Sequence, residues 1–287
     1  MNKEKKHIAV NIVIAILVIT AAVFAILFIH RLYVYDRENE VYESIRNEYA
    51  GTLPDPADNN ADSDTNYEIR TFDWDALLAQ NSDLVGWIEM APGIDYPIVQ
   101  GETNQTYLHT DFYGNYAFSG CIFMNSDNAP NWTDSNTIIY GHNMMNGSMF
   151  GTLDYYYDRD YSMEHPNIYI YTPEGRFTYK IARDMIVTDG GVAYSYGLFT
   201  PEMMQEYIND SASEANVNYT LDPGIQETDR IITLSTCRSS SGSARHILQA
   251  VLDGFTDYEG NSYTKEEINA AMNELRNTVL IQEPVEA

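Results

Sequence analysis

Residues Ile8 to Ile29 form an apolar run of 22 positions, interrupted only by Asn11 and Thr20. A helix of that length crosses the roughly 30 Å hydrocarbon core of a bilayer. The run is longer than the apolar core of an ordinary signal peptide, and no small-x-small cleavage site follows it cleanly. It therefore reads as a retained transmembrane helix, with cleavage near Ala21 and Ala22 as the alternative. Lys3, Lys5 and Lys6 precede it, which places the N-terminus in the cytoplasm, although Arg31 and Arg37 on the far side reduce the contrast. Everything after the span is then expected outside the cell membrane, as a single-pass topology.

Three regions follow from this. Residues 1–30 are the cytoplasmic N-terminus and transmembrane helix. Residues 31–66 are a juxtamembrane helix, with Leu32, Tyr35, Val41 and Ile45 at helical spacing, followed by an acidic linker rich in Pro, Asp and Asn (GTLPDPADNNADSDTN). Residues 67–287 are one folded domain ending in a helix. Lys and Arg total 16 against 42 Asp and Glu, a formal charge of −26, and such a chain repels nucleic acid. The two cysteines, Cys121 and Cys237, are too few for a disulfide framework; a single bridge between them is the bland alternative to two thiols. No metal-ligand spacing of Cys or His and no EF-hand loop is present, and no cofactor is indicated.

Within the folded domain, strands outnumber helices. Short runs rich in Ile, Val, Tyr and Thr fall at Val85–Met90, Tyr96–Gln100, Gly120–Met124, Thr137–Tyr140, Asn167–Tyr171, Phe177–Val187, Arg230–Thr236 and His246–Leu252. Helices are expected from Asp73 to Asn81, from Thr200-Pro201 to about Asn209, and from Thr264 to Asn277, with turns at Asn104–Leu108 and Ser148–Tyr157. About eight short strands with few helices indicate a mainly β chain closed, or nearly closed, into a barrel.

The chemistry-bearing residues sit at strand ends. Asp229 to Cys237 (DRIITLSTC) is an apolar strand that ends at Cys237 and gives way to the polar stretch Arg238 to Ser243. A thiol where a rigid strand meets a loop is both fixed and accessible, as a nucleophile must be. Asn136 to Asn143 (NTIIYGHN) repeats the pattern: an apolar strand, a turn-permitting Gly141, then His142. A histidine in reach of a cysteine can hold a thiolate–imidazolium pair and carry the proton. Of the six histidines only His142 directly follows an apolar strand. Ala244 to Leu252 reads as a strand returning beside the cysteine strand, which brings Arg245 near Cys237, where a guanidinium can stabilise a carbonyl oxygen as it gains charge. Arg238 is the sequence neighbour that competes for this role.

The run Thr233-Leu234-Ser235-Thr236-Cys237, an arginine after a short loop, and the upstream Tyr140-Gly141-His142-Asn143 together resemble the sortases. Gly101 to Leu108, Gly120 to Met124 and Ser148-Met149-Phe150 resemble class B in particular. The likeness covers roughly Asp73 to Leu252. It implies a closed eight-stranded sortase-type β-barrel with peripheral helices and a catalytic domain spanning residues 67–287. It implies a transpeptidase in which Cys237 attacks a C-terminal sorting-signal peptide on a surface protein, commonly after a Thr. A thioester forms and is resolved by an amine from peptidoglycan, its lipid-linked precursor or a pilin, with hydrolysis as a side activity. It further implies His142 as the acid/base, Arg245 as the oxyanion and positioning group, and Asn104, Leu108, Tyr194 and Ser235 along a substrate groove. Cys121 stands where the family usually has a small residue in a barrel strand, which argues for a buried thiol over a disulfide. A cysteine peptidase or amidase releasing its acyl group to water would use the same Cys and His, and a non-catalytic peptide-binding barrel is the remaining alternative.

Overall fold

The computed structural model describes residues 3–51, 69–188, 190–197, 200–237 and 244–282, with the backbone alone at residues 3–6, 8–10, 237 and 276–282. Its contacts divide the chain after Ser44. The first unit lies within α1 (Lys3–Tyr49), a single continuous helix. From Asn11 onward it is long and apolar enough to cross a membrane, by length and composition. Ile12 to Ile29 expose about half or more of every large apolar side chain.

The second unit, from Ile45 on, is built on one sheet. After α2 (Trp74–Gln80), capped by the Asp73 carboxylate on the Ala76 amide at 3.0 Å, come β1 (Leu84–Met90), β2 (Ile94–Val99), β3 (Ile122–Met124) and β4 (Asn136–Tyr140). A 3-10 turn (Gly151–Tyr157) and α3 (Arg159–Glu164) lead to β5 (Asn167–Thr172) and β6 (Gly175–Thr188). A second 3-10 turn (Val192–Tyr194) precedes α4 (Pro201–Glu214) and β7 (Asn216–Thr220). The chain then forms β8 (Ile231–Cys237), β9 (Ala244–Asp257), β10 (Ser262–Thr264) and α5 (Lys265–Gln282).

Hydrogen-bonded neighbours run β9-β8-β4-β3-β2-β1-β5-β6, and β6 pairs again with β9. Those eight strands close a ring, the expected barrel; β7 and β10 are added outside it on β6 and β9. The closure is long: β6 and β9 pair antiparallel from Gly175↔Asp257 to Thr188↔Ala244, with register shifts at Thr178/Tyr179 and Ile181/Arg183. Both strands were expected to be shorter. They extend because each is paired on two sides, so residues of modest strand propensity at their ends are still recruited into the ladder. β7 went unread for the opposite reason: its burial alternates weakly (NVNYT), and β6 supplies its pairing.

The barrel core holds Trp87, Ile88, Ile98, Ile122, Ile138, Ile170, Ile232, Leu234 and Leu248, all fully buried. The C-terminal helix starts where Thr264 and Glu267 exchange side-chain-to-backbone hydrogen bonds, a capping box. It docks on the entry to β8: Lys265 pairs with Asp229 at 3.2 Å, and Asn273 accepts from Arg230 at 2.8 Å.

The chain before and after residues 52–68 is tied to the β1–β2 hairpin. Ala50 bridges Phe72, and the Gly51 amide donates to the Thr71 carbonyl at 2.8 Å. Arg70 is buried, grips Asp95 with two nitrogens (2.7 and 3.2 Å), reaches Glu89 at 3.2 Å and donates to the Gly51 carbonyl at 2.9 Å. Trp87 Nε1 donates to the same Asp95 at 2.6 Å. Burial pushes the Glu89 carboxyl up from its ordinary value, and Arg70 opposes that push. Arg70→Ala would leave Asp95 with the Trp87 indole and the more distant Arg46, and Glu89 with the Tyr171 hydroxyl. We expect it to cost about 3–5 kcal/mol, the usual loss when one partner of a buried pair is removed. The midpoint of denaturant unfolding measures it.

Candidate active site

The site forms where β4, β8 and β9 end together. β4 lies parallel to β8 with Tyr140 opposite Ser235, and the Gly141 amide donates to the Ser235 carbonyl at 3.2 Å. β4 ends there, and His142 follows two residues beyond its last pair, as Cys237 lies two residues beyond Ser235 at the end of β8. On its other side β8 runs antiparallel to β9, and there Cys237 is paired directly with Arg245. The inferred strand return is thus observed, and positions 237 and 245 lie on one face of the sheet. Arg238 and the rest of the connection to Ser243 lie outside the described residues.

Gly141 has a steric reason to be glycine. A Cβ there would sit 2.5 Å from Ile122 Cδ1 and 2.7 Å from the Phe150 ring. The chain therefore leaves β4 against the barrel wall and delivers His142 half-buried at its rim. Its Nε2 lies 2.8 Å from the Leu108 carbonyl oxygen. A carbonyl can only accept, so Nε2 carries a proton and Nδ1 is the nitrogen whose protonation can change. The rings of His109 and Phe118 lie nearly parallel to that of His142, at 5.2 and 6.0 Å between centroids.

Leu108 is held from behind. Tyr107 donates from its hydroxyl to Asp83 at 2.9 Å, and burial, with the nearby carboxylate, pushes that phenol up to about 12, so it stays a donor at neutral pH. The Cys121 amide donates to the Tyr107 carbonyl at 3.1 Å, and Gly120, at φ +57°, lets the strand pass 2.5 Å from where its Cβ would meet the Leu108 and Tyr107 carbonyls. Cys121 is a buried thiol; its Sγ lies 3.3 Å from the Thr110 carbonyl.

The other expected groove residues divide. Leu108 is half-buried beside His142. Tyr194, also half-buried, meets Ser235 Oγ through its hydroxyl at 2.9 Å and stacks on Tyr140 at 6.1 Å. Asn104 is engaged with its own scaffold: its amide oxygen accepts from the Ser126 amide at 2.8 Å and its nitrogen faces Asn125 at 3.4 Å. Sequence reasoning missed the Leu108 carbonyl, which has no side-chain signal. It also missed a set of buried polar residues around the Val192–Tyr194 turn. Gln249, fully buried in the apolar run HILQAVL, was the available clue. His246, the other strand histidine, faces away from this set. It is fully buried, bonded to Asp184 through Nε2 and stacked on Tyr157 at 4.1 Å.

A family model for the sortase domain matches residues 89–253, more than half of the chain. This chain belongs to the sortase family. Sortase B of Listeria monocytogenes is 33% identical over 207 residues, covering 69% of this chain and 80% of that protein. Among solved structures, sortase B of Bacillus anthracis, in complex with AAEK1, superposes with a TM-score of 0.63 at 26% identity over 77% of this chain and 98% of the other. A Staphylococcus aureus sortase B–substrate complex superposes at 0.57 with 27% identity over 62% and 83%. These relatives are class B sortases, which are cysteine transpeptidases, and the eight-stranded ring is the barrel they share.

The two glycines of the site give a ranked expectation. In Gly120→Ala the new Cβ meets backbone at a positive φ, whereas in Gly141→Ala it meets side chains that can shift. Both should destabilise this sortase by about 1–3 kcal/mol, Gly120→Ala more. Chemical denaturation of the two variants tests the order.

Proposed function

We propose that this sortase is anchored by α1 with its N-terminus in the cytoplasm and its barrel outside. There it joins a surface protein, cut within its C-terminal sorting signal, to an amine of peptidoglycan, its lipid-linked precursor or a pilin. The observation that supports the reaction is the double pairing of β8: Cys237 is paired with Arg245 on β9, and on the other side β4 runs parallel to β8 and ends two residues before His142.

In the first half-reaction the Cys237 thiolate attacks the scissile carbonyl carbon. Negative charge collects on the carbonyl oxygen, where the Arg245 guanidinium stabilises it. The carbon–nitrogen bond then breaks, and the departing amine takes the proton from His142 Nδ1, leaving a thioester. In the second half the acceptor amine gives a proton back to Nδ1 as it attacks the thioester, the carbon–sulfur bond breaks, and the thiolate leaves. The Leu108 carbonyl favours the imidazolium by accepting from Nε2, so the proton is available when the leaving group needs it. Leu108, Tyr194 and Ser235 line the peptide groove, with Asn104 holding its outer loop. Release of the acyl group to water is the competing outcome of the same thioester.

Quenched peptides with Thr before the scissile bond, assayed with and without triglycine or a diaminopimelate-containing stem peptide, separate transfer from hydrolysis by the product formed. Cys237→Ala should abolish both, and Cys121→Ala should keep most activity. Arg245→Ala should lose about a hundred- to a thousandfold in single-turnover acylation, and Arg245→Lys should recover little, because an ammonium lacks the planar fork. Arg238→Ala should stay within about tenfold of the parent. A dead Arg238→Ala with an active Arg245→Ala reverses the assignment. The pH–rate profile should be bell-shaped, since thiolate and imidazolium are needed together.

Topology has its own test. A reporter fused after Ala287 that works only outside the cell should be active, and activity from a cytoplasm-only reporter there contradicts the orientation.

A further inference from the structure

Arg183 is almost fully buried on β6, and no carboxylate pairs with it among the described residues. Its guanidinium donates through Nε and Nη2 to Gln249 Oε1 at 2.9 and 2.6 Å, to Ser211 Oγ at 2.8 Å, and toward the Ile208 carbonyl in the last half of α4. The negative end of that helix offsets part of the charge, and α4 has no basic residue of its own in its last turn. A cavity of about 380 Å³ opens beside it.

What the cation does is give direction to a chain of hydrogen bonds. An arginine only donates, so Gln249 must turn its oxygen toward it. Its Nε2 then donates to Tyr207 Oη at 2.5 Å and to Thr233 Oγ1 at 3.0 Å. Each hydroxyl, having accepted, passes its own proton on. Tyr207 donates to the Ala193 carbonyl at 3.2 Å, and Thr233 donates to Asn136 Oδ1 at 2.7 Å. With its oxygen so used, Asn136 directs Nδ2 to the Ser195 carbonyl at 2.8 Å. Every side chain in the chain, Arg183, Gln249, Tyr207, Thr233 and Asn136, is at most 3% exposed. The two branches end on the carbonyls immediately before and after Tyr194, whose hydroxyl meets Ser235, two positions from Cys237.

We propose that Gln249, oriented by Arg183, is a positioning residue for substrate: the directed chain through Tyr207, Thr233 and Asn136 clamps both sides of Tyr194 and so fixes the groove wall on which the sorting-signal peptide lies. This rests on the reading of Tyr194 as part of that groove. It also explains the first threonine of the TLSTC run. Thr233 lies on the same face of β8 as Cys237, four positions before it, and serves as the relay between Gln249 and the β4 motif.

Gln249→Glu is the discriminating variant. It keeps the size of the side chain and gives Arg183 a carboxylate, but it cannot donate, so both hydroxyls turn toward it and release the Ala193 and Asn136 ends. Asn136→Asp breaks one branch at its last step, and Tyr207→Phe breaks the other. With the best-cleaved quenched peptide, Gln249→Glu should raise KM about tenfold while kcat stays within about threefold and the melting temperature holds. Asn136→Asp and Tyr207→Phe should each raise KM by a smaller factor. In a Tyr194→Ala background, Gln249→Glu should add little. A crystal structure of Gln249→Glu should show the Tyr194–Ser235 contact broken. An unchanged KM in folded variants, an effect that is fully additive with Tyr194→Ala, or an unmoved turn in the crystal would overturn the proposal. If the parent enzyme cleaves no such peptide but the turn still moves, the clamp stands and the sorting reading is what fails.

Discussion

β8 has a hydrogen-bonded neighbour on each side, parallel β4 and antiparallel β9, and the candidate site depends on those two registers more than on any side-chain contact. A slip of one residue on either side would send the paired positions to opposite faces of the sheet. Slippage is resisted because the same strands carry the apolar core: Ile138 and Ile139, Ile232 and Leu234, Ile247 and Leu248 are all buried. The ring closes through the long β6–β9 ladder, so neither end of the site lies on a free edge. Burial of apolar surface, a non-directional force, is in this way converted into the pairing of Cys237 with Arg245 and the parallel run of β4 toward His142.

Much of this was legible in the sequence because strand ends announce themselves. An apolar run stopping at Cys237, a second stopping at Gly141-His142, and a short polar connection before Arg245 are local signals, and the ladders turn them into neighbours. The eight strands of the ring were also legible, since each is a compact run of β-branched and aromatic residues. The limits were physical too. β7 and β10 owe their pairing to partners rather than to their own patterns, and β6 and β9 run on past their apolar centres for the same reason. The helix after Gly260 had no evident purpose until the structure showed it seated on Asp229 and Arg230 at the entry to β8.

Backbone groups and buried amides mark the boundary of what pattern reading can find. The acceptor for His142 is a carbonyl, so no choice of residue at 108 advertises it. What the sequence does hold is indirect: glycines at 120 and 141, each placed where a single added carbon would collide with the segment being positioned. Gln249 is the more visible trace. A glutamine among Ile247, Leu248, Ala250 and Val251 contradicts the apolar pattern of its strand, and such contradictions concentrate where function is served.

The resulting division of labour differs in kind between the proposed reacting groups and the proposed groove. Cys237 and Arg245 are paired by strand register, and His142 follows the end of β4; register tolerates changes in neighbouring side chains as long as the core remains apolar and filled. The Tyr194 turn has no ladder of its own; it is a short 3-10 segment outside the ring, between β6 and α4. A turn of that kind is one of the less constrained parts of a fold, because it buries little and its amides find few partners within it. Here its carbonyls are taken up by side chains that are themselves locked in orientation, and a buried cation at the far end allows only one sense for the whole series. A neutral chain of hydroxyls and amides could run in either direction and would leave the turn two arrangements of similar energy. Arg183 removes that degeneracy, which is a reason for this fold to retain in its interior a charge that no carboxylate pairs among the described residues.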